Sequence, residues 1–225
     1  MDKQVVSKQR VADHGEVLTG RREVNAMLDL VKQETERIES RFLEPACGTG
    51  NFVKEILERK LRVVEDRYRK SQLEYERNAV LAVSSIYGVD ILQDNVQECR
   101  KRLFDIFDRK YTSLFKERVK EQCWATVRFI LERNVIWGDA LTLKTVEDNP
   151  QPIVFSEWSF PFYDSRIKRW DFSFSDLLPS DRPDDSDLFS AQVLFSDLGE
   201  RAFFPQDIRR FPPIHFLKIG EGYDE

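Results

Sequence analysis

Residues 42–52, FLEPACGTGNF, join a short apolar run to a helical pattern through a turn of small residues. Arg41-Phe42-Leu43 reads as a buried strand that stops on Glu44, and Val53, Ile56, Leu57, Leu61 and Val64 form the apolar face of the helix that follows. A glycine-rich strand-to-helix turn lets backbone approach a phosphate or another polar ligand closely. A P-loop is excluded, because no Gly-Lys-Ser/Thr follows. A dinucleotide fingerprint calls for a third Gly or Ala three residues beyond the second glycine, where this chain has Val53. Glu44 beside exposed backbone amides suits a zwitterion: the carboxylate faces an ammonium while N–H groups take a carboxylate or another acceptor.

Outward from this turn, helical and extended patterns alternate. Val24, Met27, Leu28, Val31, Thr35 and Ile38 form a helical stripe over residues 22–39. A charged helical stretch runs from the turn to about Ala82. Ser85-Ile86-Tyr87-Gly88-Val89-Asp90 is a second strand, and Val96, Cys99, Leu103, Phe107, Tyr111 and Leu114 mark a long amphipathic helix. Asn134 to Asp139 is a third strand and Pro152 to Trp158 a fourth. Strands alternating with helices predict a parallel sheet whose ligands sit at the carboxyl ends of the strands. Three strands in a row end on an acid, Glu44, Asp90 and Asp139. Each acid alone reads equally well as a helix cap or turn former; three at equivalent positions point to a ligand.

Four segments in order carry a resemblance. Glu44-Pro45-Ala46-Cys47-Gly48-Thr49-Gly50-Asn51-Phe52 resembles the S-adenosylmethionine motif of amino-group (N6-adenine) DNA methyltransferases of restriction–modification systems. Gly15-Glu16-Val17-Leu18-Thr19 resembles their first segment, Ile86 to Ile91 their second strand, and Asn134 to Leu141 their third. The similarity covers residues 13–141. It implies an α/β, Rossmann-like class I methyltransferase sheet with helices on both faces and a truncated or divergent C-terminal part. It also implies S-adenosyl-L-methionine as cofactor. Thr19 would meet its methionine end, Asp90 the ribose hydroxyls and Asp139 the adenine amino group, with Glu44, Pro45, Ala46, Gly48, Gly50, Asn51, Phe52, Ile91 and Ala140 as further cofactor-binding residues. A cytosine-C5 enzyme would need a Pro-Cys dipeptide, which the chain lacks.

The family's acceptor motif, Asn/Asp/Ser-Pro-Pro-Tyr/Phe at the end of the fourth strand, is matched only by Ser159-Phe160-Pro161-Phe162, one proline short. Ser159, Pro161 and Phe162 are therefore either a variant catalytic set or a structural turn. Thr19-Gly20-Arg21 replaces the usual Thr-Pro-Pro. Motif order resembles the γ arrangement, whose base-reading domain follows the core, yet only 62 residues follow Tyr163, with a Pro- and Asp-rich linker at 179–190. Residues 1–163 are expected to form the cofactor-binding core, and residues 164–225 an extension with a hairpin and a docking segment near Phe211–Leu217. Two readings follow: a methyltransferase subunit that meets DNA through a partner recognition subunit, or a catalytically inactive binding or regulatory subunit that keeps the cofactor pocket.

Composition bounds these readings. At 225 residues with 41% hydrophobic and 33% charged content, the chain suits a globular protein with one substantial domain. A net charge of −5 does not argue for direct nucleic-acid binding, and the runs Arg67 to Lys70, Arg100 to Arg102 and Arg166 to Arg169 read as solvated helix faces. Three distant cysteines and two histidines give neither a disulfide framework nor a metal site. No hydrophobic leader or membrane-length apolar run is present, so a cytoplasmic protein with no membrane and no metal partner is expected.

Overall fold

A computed structural model describes residue 10 and residues 19–162, 164–177, 194–195, 201–202 and 207–221. The Gly15–Leu18 part of the first motif segment, Tyr163 and the linker at 179–190 lie outside the described residues. The predicted helix over 22–39 is two short ones, α1 (Arg21–Asp29) and α2 (Lys32–Thr35). Val24 and Leu28 bury one face of α1, and the break leaves Leu30 and Val31 exposed. Strand β1 (Phe42–Glu44) leads through the glycine turn into α3 (Asn51–Tyr68). The charged stretch divides at Ser71, whose side chain accepts from the Glu74 N–H and starts α4 (Gln72–Ser84). Strand β2 (Ile86–Asp90), α5 (Gln93–Phe115), α6 (Glu121–Asn134) and β3 (Val135–Asp139) complete this half.

The strands lie in the order β1-β2-β3, both pairs parallel, with Glu44 level with Gly88 and Asp90 level with Trp137. A two-residue strand, β4 (Lys144–Thr145), folds back antiparallel on β3. The three acid-terminated strands therefore end along one edge. Side chains alternate across β2: Ile86 enters the core shared by α1 and α3–α6, while Tyr87 and Val89 enter a second core with Ile153, Phe155 and Phe172.

That second core overturns two expectations. The fourth strand, β5 (Val154–Ser159), does not extend the parallel sheet. It pairs antiparallel with β6 (Arg166–Ser173), from Val154↔Ser173 to Ser159↔Lys168. This pairing crosses the boundary expected at residue 163. Parallel strands need a crossover connection, usually helical, whereas the chain after β3 turns back through β4 without one. Helices also do not cover both faces. The α-helices share one face of the parallel sheet, and the other face is closed by Phe155 and Phe172 packing edge-on against Tyr87. The architecture is thus α/β with helices, a mainly parallel sheet and an antiparallel sheet.

The remaining described strands are β7 (Leu194–Phe195) paired with β8 (Arg201–Ala202), and β9 (Asp207–Arg210) and β10 (Ile214–His215), which both pair with β6. Phe211 and Phe216 are buried, and Thr126 on α6 donates to the Phe216 carbonyl at 2.7 Å, so the predicted docking segment rests on α6. The basic run Arg166–Arg169 lies in strand β6, as the alternation from Arg166 to Leu178 suggests, and is not a helix face. Its Arg169 is buried, holding Asp171 at 2.8 Å and stacking 4.0 Å over Phe211.

Candidate functional site

The turn after β1 is built from unusual backbone and few side chains. Gly48 and Gly50 have φ of +52° and +88°, in the left-handed region where a Cβ is strained. A Cβ at Gly50 would also come within 2.7 Å of Cys99 Sγ on α5. Beneath the turn, Cys47 packs on Gly88, where a Cβ would meet its sulfur at 3.1 Å. Cys47 is buried and hydrogen-bonded to Cys99; that bond and burial push its thiol well above the ordinary range, so it is a packing residue and not a nucleophile.

The three strand-end acids have different surroundings. Asp90 is buried and heavily engaged: it accepts from Gly48 N–H (2.8 Å), Leu92 N–H (2.9 Å) and the Asn95 amide (3.2 Å). It ties the glycine turn to the start of α5. A carboxylate offers about four lone-pair sites, so one position stays open to a ligand. Asp139 shapes its own turn, accepting from Leu141 N–H (2.8 Å) and the Thr142 hydroxyl (3.0 Å). Chiefly the Leu141 amide holds its carboxyl below the usual range. Glu44 is half-buried, and its one hydrogen bond among the described residues is a long one from Ala46 N–H at 3.3 Å. Burial raises its pKa, opposed by that amide. Among the three, Glu44 has the most unused acceptor capacity.

Around these acids the expected contact residues divide. Pro45 and Ala46 are exposed at the mouth, and Ile91 is 48% exposed with its carbonyl accepting from Trp137 Nε1 at 2.9 Å. Phe52 packs against the helical core and Ala140 against the second core. Asn51 turns its side chain away from its own helix, donating to the Thr19 carbonyl at 2.9 Å and accepting from Arg102 at 3.1 Å. Helix α3 begins without a side-chain cap because its N-cap is Gly50, and its first three amides, 51–53, precede the Lys54 N–H to Gly50 bond that opens the helical ladder.

Two residues that the sequence reading did not assign to a site belong to this edge, Arg102 having been read only as part of a solvated helix face. Arg102 on α5 clamps the turn. Arg10 reaches Asp94 at 2.5 Å and Asn95 at 3.1 Å, beside Asp90. Arg10 is thus held at the start of α5 and the Thr19 carbonyl at the start of α3. Nothing local in the sequence signals either arginine, because their partners are 50 to 85 residues away.

The expected catalytic set is placed elsewhere. β5 runs opposite to β1–β3: Ile153 packs at Gly138 and bonds Leu143 beyond the end of β3, while Glu157 meets Arg41 before the start of β1 (2.9 Å). Ser159, Pro161 and Phe162 thus lie at the amino ends of the parallel strands, across the sheet from Gly48. Phe162 is exposed under the Arg166 guanidinium (4.5 Å), and its carbonyl accepts from Arg77 (3.3 Å). Ser159 lines a cavity of about 520 Å³ at that end, with Arg41, Arg77, Asn78, Tyr87 and Glu157. This cavity and the strand-end acids are therefore separate places, and the acids carry the local chemistry that the sequence singled out.

Comparison of the chain with protein-family models, with curated proteins and with solved structures gave no match. Among the described residues, no helix is long and apolar enough to cross a membrane, and no group of three or more His, Cys, Asp or Glu could hold a metal ion.

Proposed function

We propose that the carboxyl ends of β1–β3 form a crevice that binds S-adenosyl-L-methionine, and that the chain is a methyltransferase-like subunit without an acceptor site of its own. The observation that carries this reading is the pairing of Glu44, a half-buried carboxylate with spare acceptor capacity, with an uncapped helix start across a two-glycine turn. An α-amino acid presents the complementary groups: its ammonium to Glu44 and its carboxylate to the amides of 51–53. The remaining lone pair of Asp90 and the exposed apolar side chain of Ile91 suit a ribose hydroxyl and a purine face. The residues present fit the cofactor, which supplies an electrophilic methyl group when bound; this chain's part is to hold and orient it.

A second reading, methyl transfer to adenine N6 by an assembly, is favoured by the same crevice, provided that a partner brings the acceptor groups and the DNA. The distance of Ser159–Phe162 from the crevice favours the first reading. Calorimetric titration of the full chain with S-adenosyl-L-methionine separates both from a purely structural protein: the proposal expects one site with affinity on the order of micromolar. No heat and no saturation at millimolar ligand contradicts it. Tritiated methyl transfer to DNA with and without co-encoded proteins then distinguishes the two readings.

A further inference from the structure

Arg102 leaves α5 one turn after Cys99 and spends a single nitrogen on the glycine turn. Its Nη1 donates to the Thr49 carbonyl (2.6 Å), the Thr49 hydroxyl (2.8 Å) and Asn51 Oδ1 (3.1 Å). Asn51 passes the connection on to the Thr19 carbonyl. The guanidinium is half-buried, and no carboxylate among the described residues pairs with it. Half-buried arginines ordinarily meet an acid, and the hydrogen-bond partners of this one are neutral.

The location gives the arrangement its consequence. The first half of the turn is fixed by Cys47 N–H on the Val89 carbonyl and Gly48 N–H on Asp90. The second half, between two glycines of positive φ, has the Gly50 N–H to Cys47 carbonyl bond and then, among the described residues, Arg102 on Thr49. Whatever holds the Thr49 peptide and the Asn51 side chain sets where the free amides of 51–53 point. An unneutralised positive charge there adds to the positive end of an 18-residue helix. Glu44 stands on the other side of the same turn with the opposite charge.

We propose that Arg102 is a positioning residue that makes the crevice selective for the amino-acid end of an adenosyl ligand. It keeps the Thr49 carbonyl and the Asn51 side chain out of the way of the α3 amides and biases them towards a carboxylate. This rests on the crevice being the S-adenosyl-L-methionine site. A brace that only stabilised the fold would weaken all nucleosides alike, whereas a residue acting on the amino-acid end weakens only ligands that possess it.

The experiment compares S-adenosylhomocysteine, which carries the amino-acid end, with methylthioadenosine, which lacks it. Both are titrated into wild type and into Arg102→Met. Affinity for S-adenosylhomocysteine is expected to fall about tenfold or more, and affinity for methylthioadenosine to change less than about twofold. Equal losses for the two ligands, or no loss for either, overturn the inference. Wild type that binds neither ligand sinks the cofactor reading itself, and the inference with it. Should Arg102→Met fail to fold by circular dichroism, Arg102→Lys decides. It keeps the charge but its ammonium ends one bond short of the Nη1 position, so it should lose part of the selectivity between the two ligands; wild-type selectivity, or equal losses for both, overturns the role.

Discussion

The two ends of the parallel sheet are made of different materials. At the carboxyl end, glycines of positive φ, free backbone amides and Asp90 form a tight structure from residues close in sequence to the strand ends. At the amino end, a wider cavity is closed by side chains drawn from α4, β2 and β5, with Glu157 held by Arg41 and by the Tyr87 hydroxyl. The first end has the features of a place where a ligand meets backbone. The second resembles a seam between layers, its charges mostly answered from within the chain. The comparison teaches that cavity size and ligand chemistry need not coincide.

The sharpest way to break the comparison is to fill the turn. Gly50→Ala places a Cβ at φ +88° and 2.7 Å from Cys99 Sγ. It is expected to destabilise the chain by about 3 kcal/mol or more, read as a drop in the urea midpoint. A variant as stable as wild type would mean that the turn is looser than described.

The amino end has its own strained group. Lys60 is fully buried, donating to the carbonyls of Ile38 and Ser40 and to Ser85 Oγ, and burial pushes its pKa from 10.5 down to about 7. Because the folded-state value is depressed, the unfolded chain binds the extra proton between about pH 7 and pH 10.5. Stability from this group is therefore present above the unfolded value and is lost as pH falls towards 7, by a few kcal/mol in all. Lys60→Met should remove that slope from the unfolding free energy measured across the window. An unchanged slope would show that Lys60 is not the titrating group.

Glu44 offers a smaller and more selective effect. Its raised pKa means the folded chain without ligand loses stability as pH rises through that value, so the free carboxylate is a liability at neutral pH. Glu44→Gln is expected to melt at or slightly above the wild-type temperature while binding S-adenosyl-L-methionine about tenfold more weakly. Wild-type affinity should also fall as pH drops through the raised value, and that of the variant should not. Joint loss of stability and binding would instead assign Glu44 to the fold.

Smallest of all should be the effect at the far end. Ser159→Ala combined with Phe162→Ala is predicted to leave the affinity for S-adenosyl-L-methionine within about twofold, because these residues sit across the sheet from the turn. A large loss would bring the two ends into one site and revive the catalytic reading of that segment.

What could be read from sequence follows the same division. The turn was legible because its requirements are local: two glycines, a preceding acid and a helical stripe within about ten residues. The three strand-end acids were legible as a row, but not their separate surroundings. Asp139 caps its own turn and Asp90 binds the glycine loop, while Glu44 keeps the most unused acceptor capacity. The direction of β5 was not legible, since PIVFSEW reads equally well as a parallel or an antiparallel strand. Its fate is decided by Phe155 and Phe172 burying on Tyr87, a contact across more than 60 residues. Arg102 and Arg10 were hidden for the same reason, whereas the local alternation from Arg166 to Leu178 was legible as a strand or hairpin.

The central claim is that the carboxyl-end crevice holds the cofactor, and hydrogen–deuterium exchange with and without S-adenosyl-L-methionine tests it most directly. The account predicts added protection in residues 44–53 and 90–95, with no change in residues 77–85 or 155–162. Protection confined to the second pair of segments, or none anywhere under saturating ligand, would contradict it.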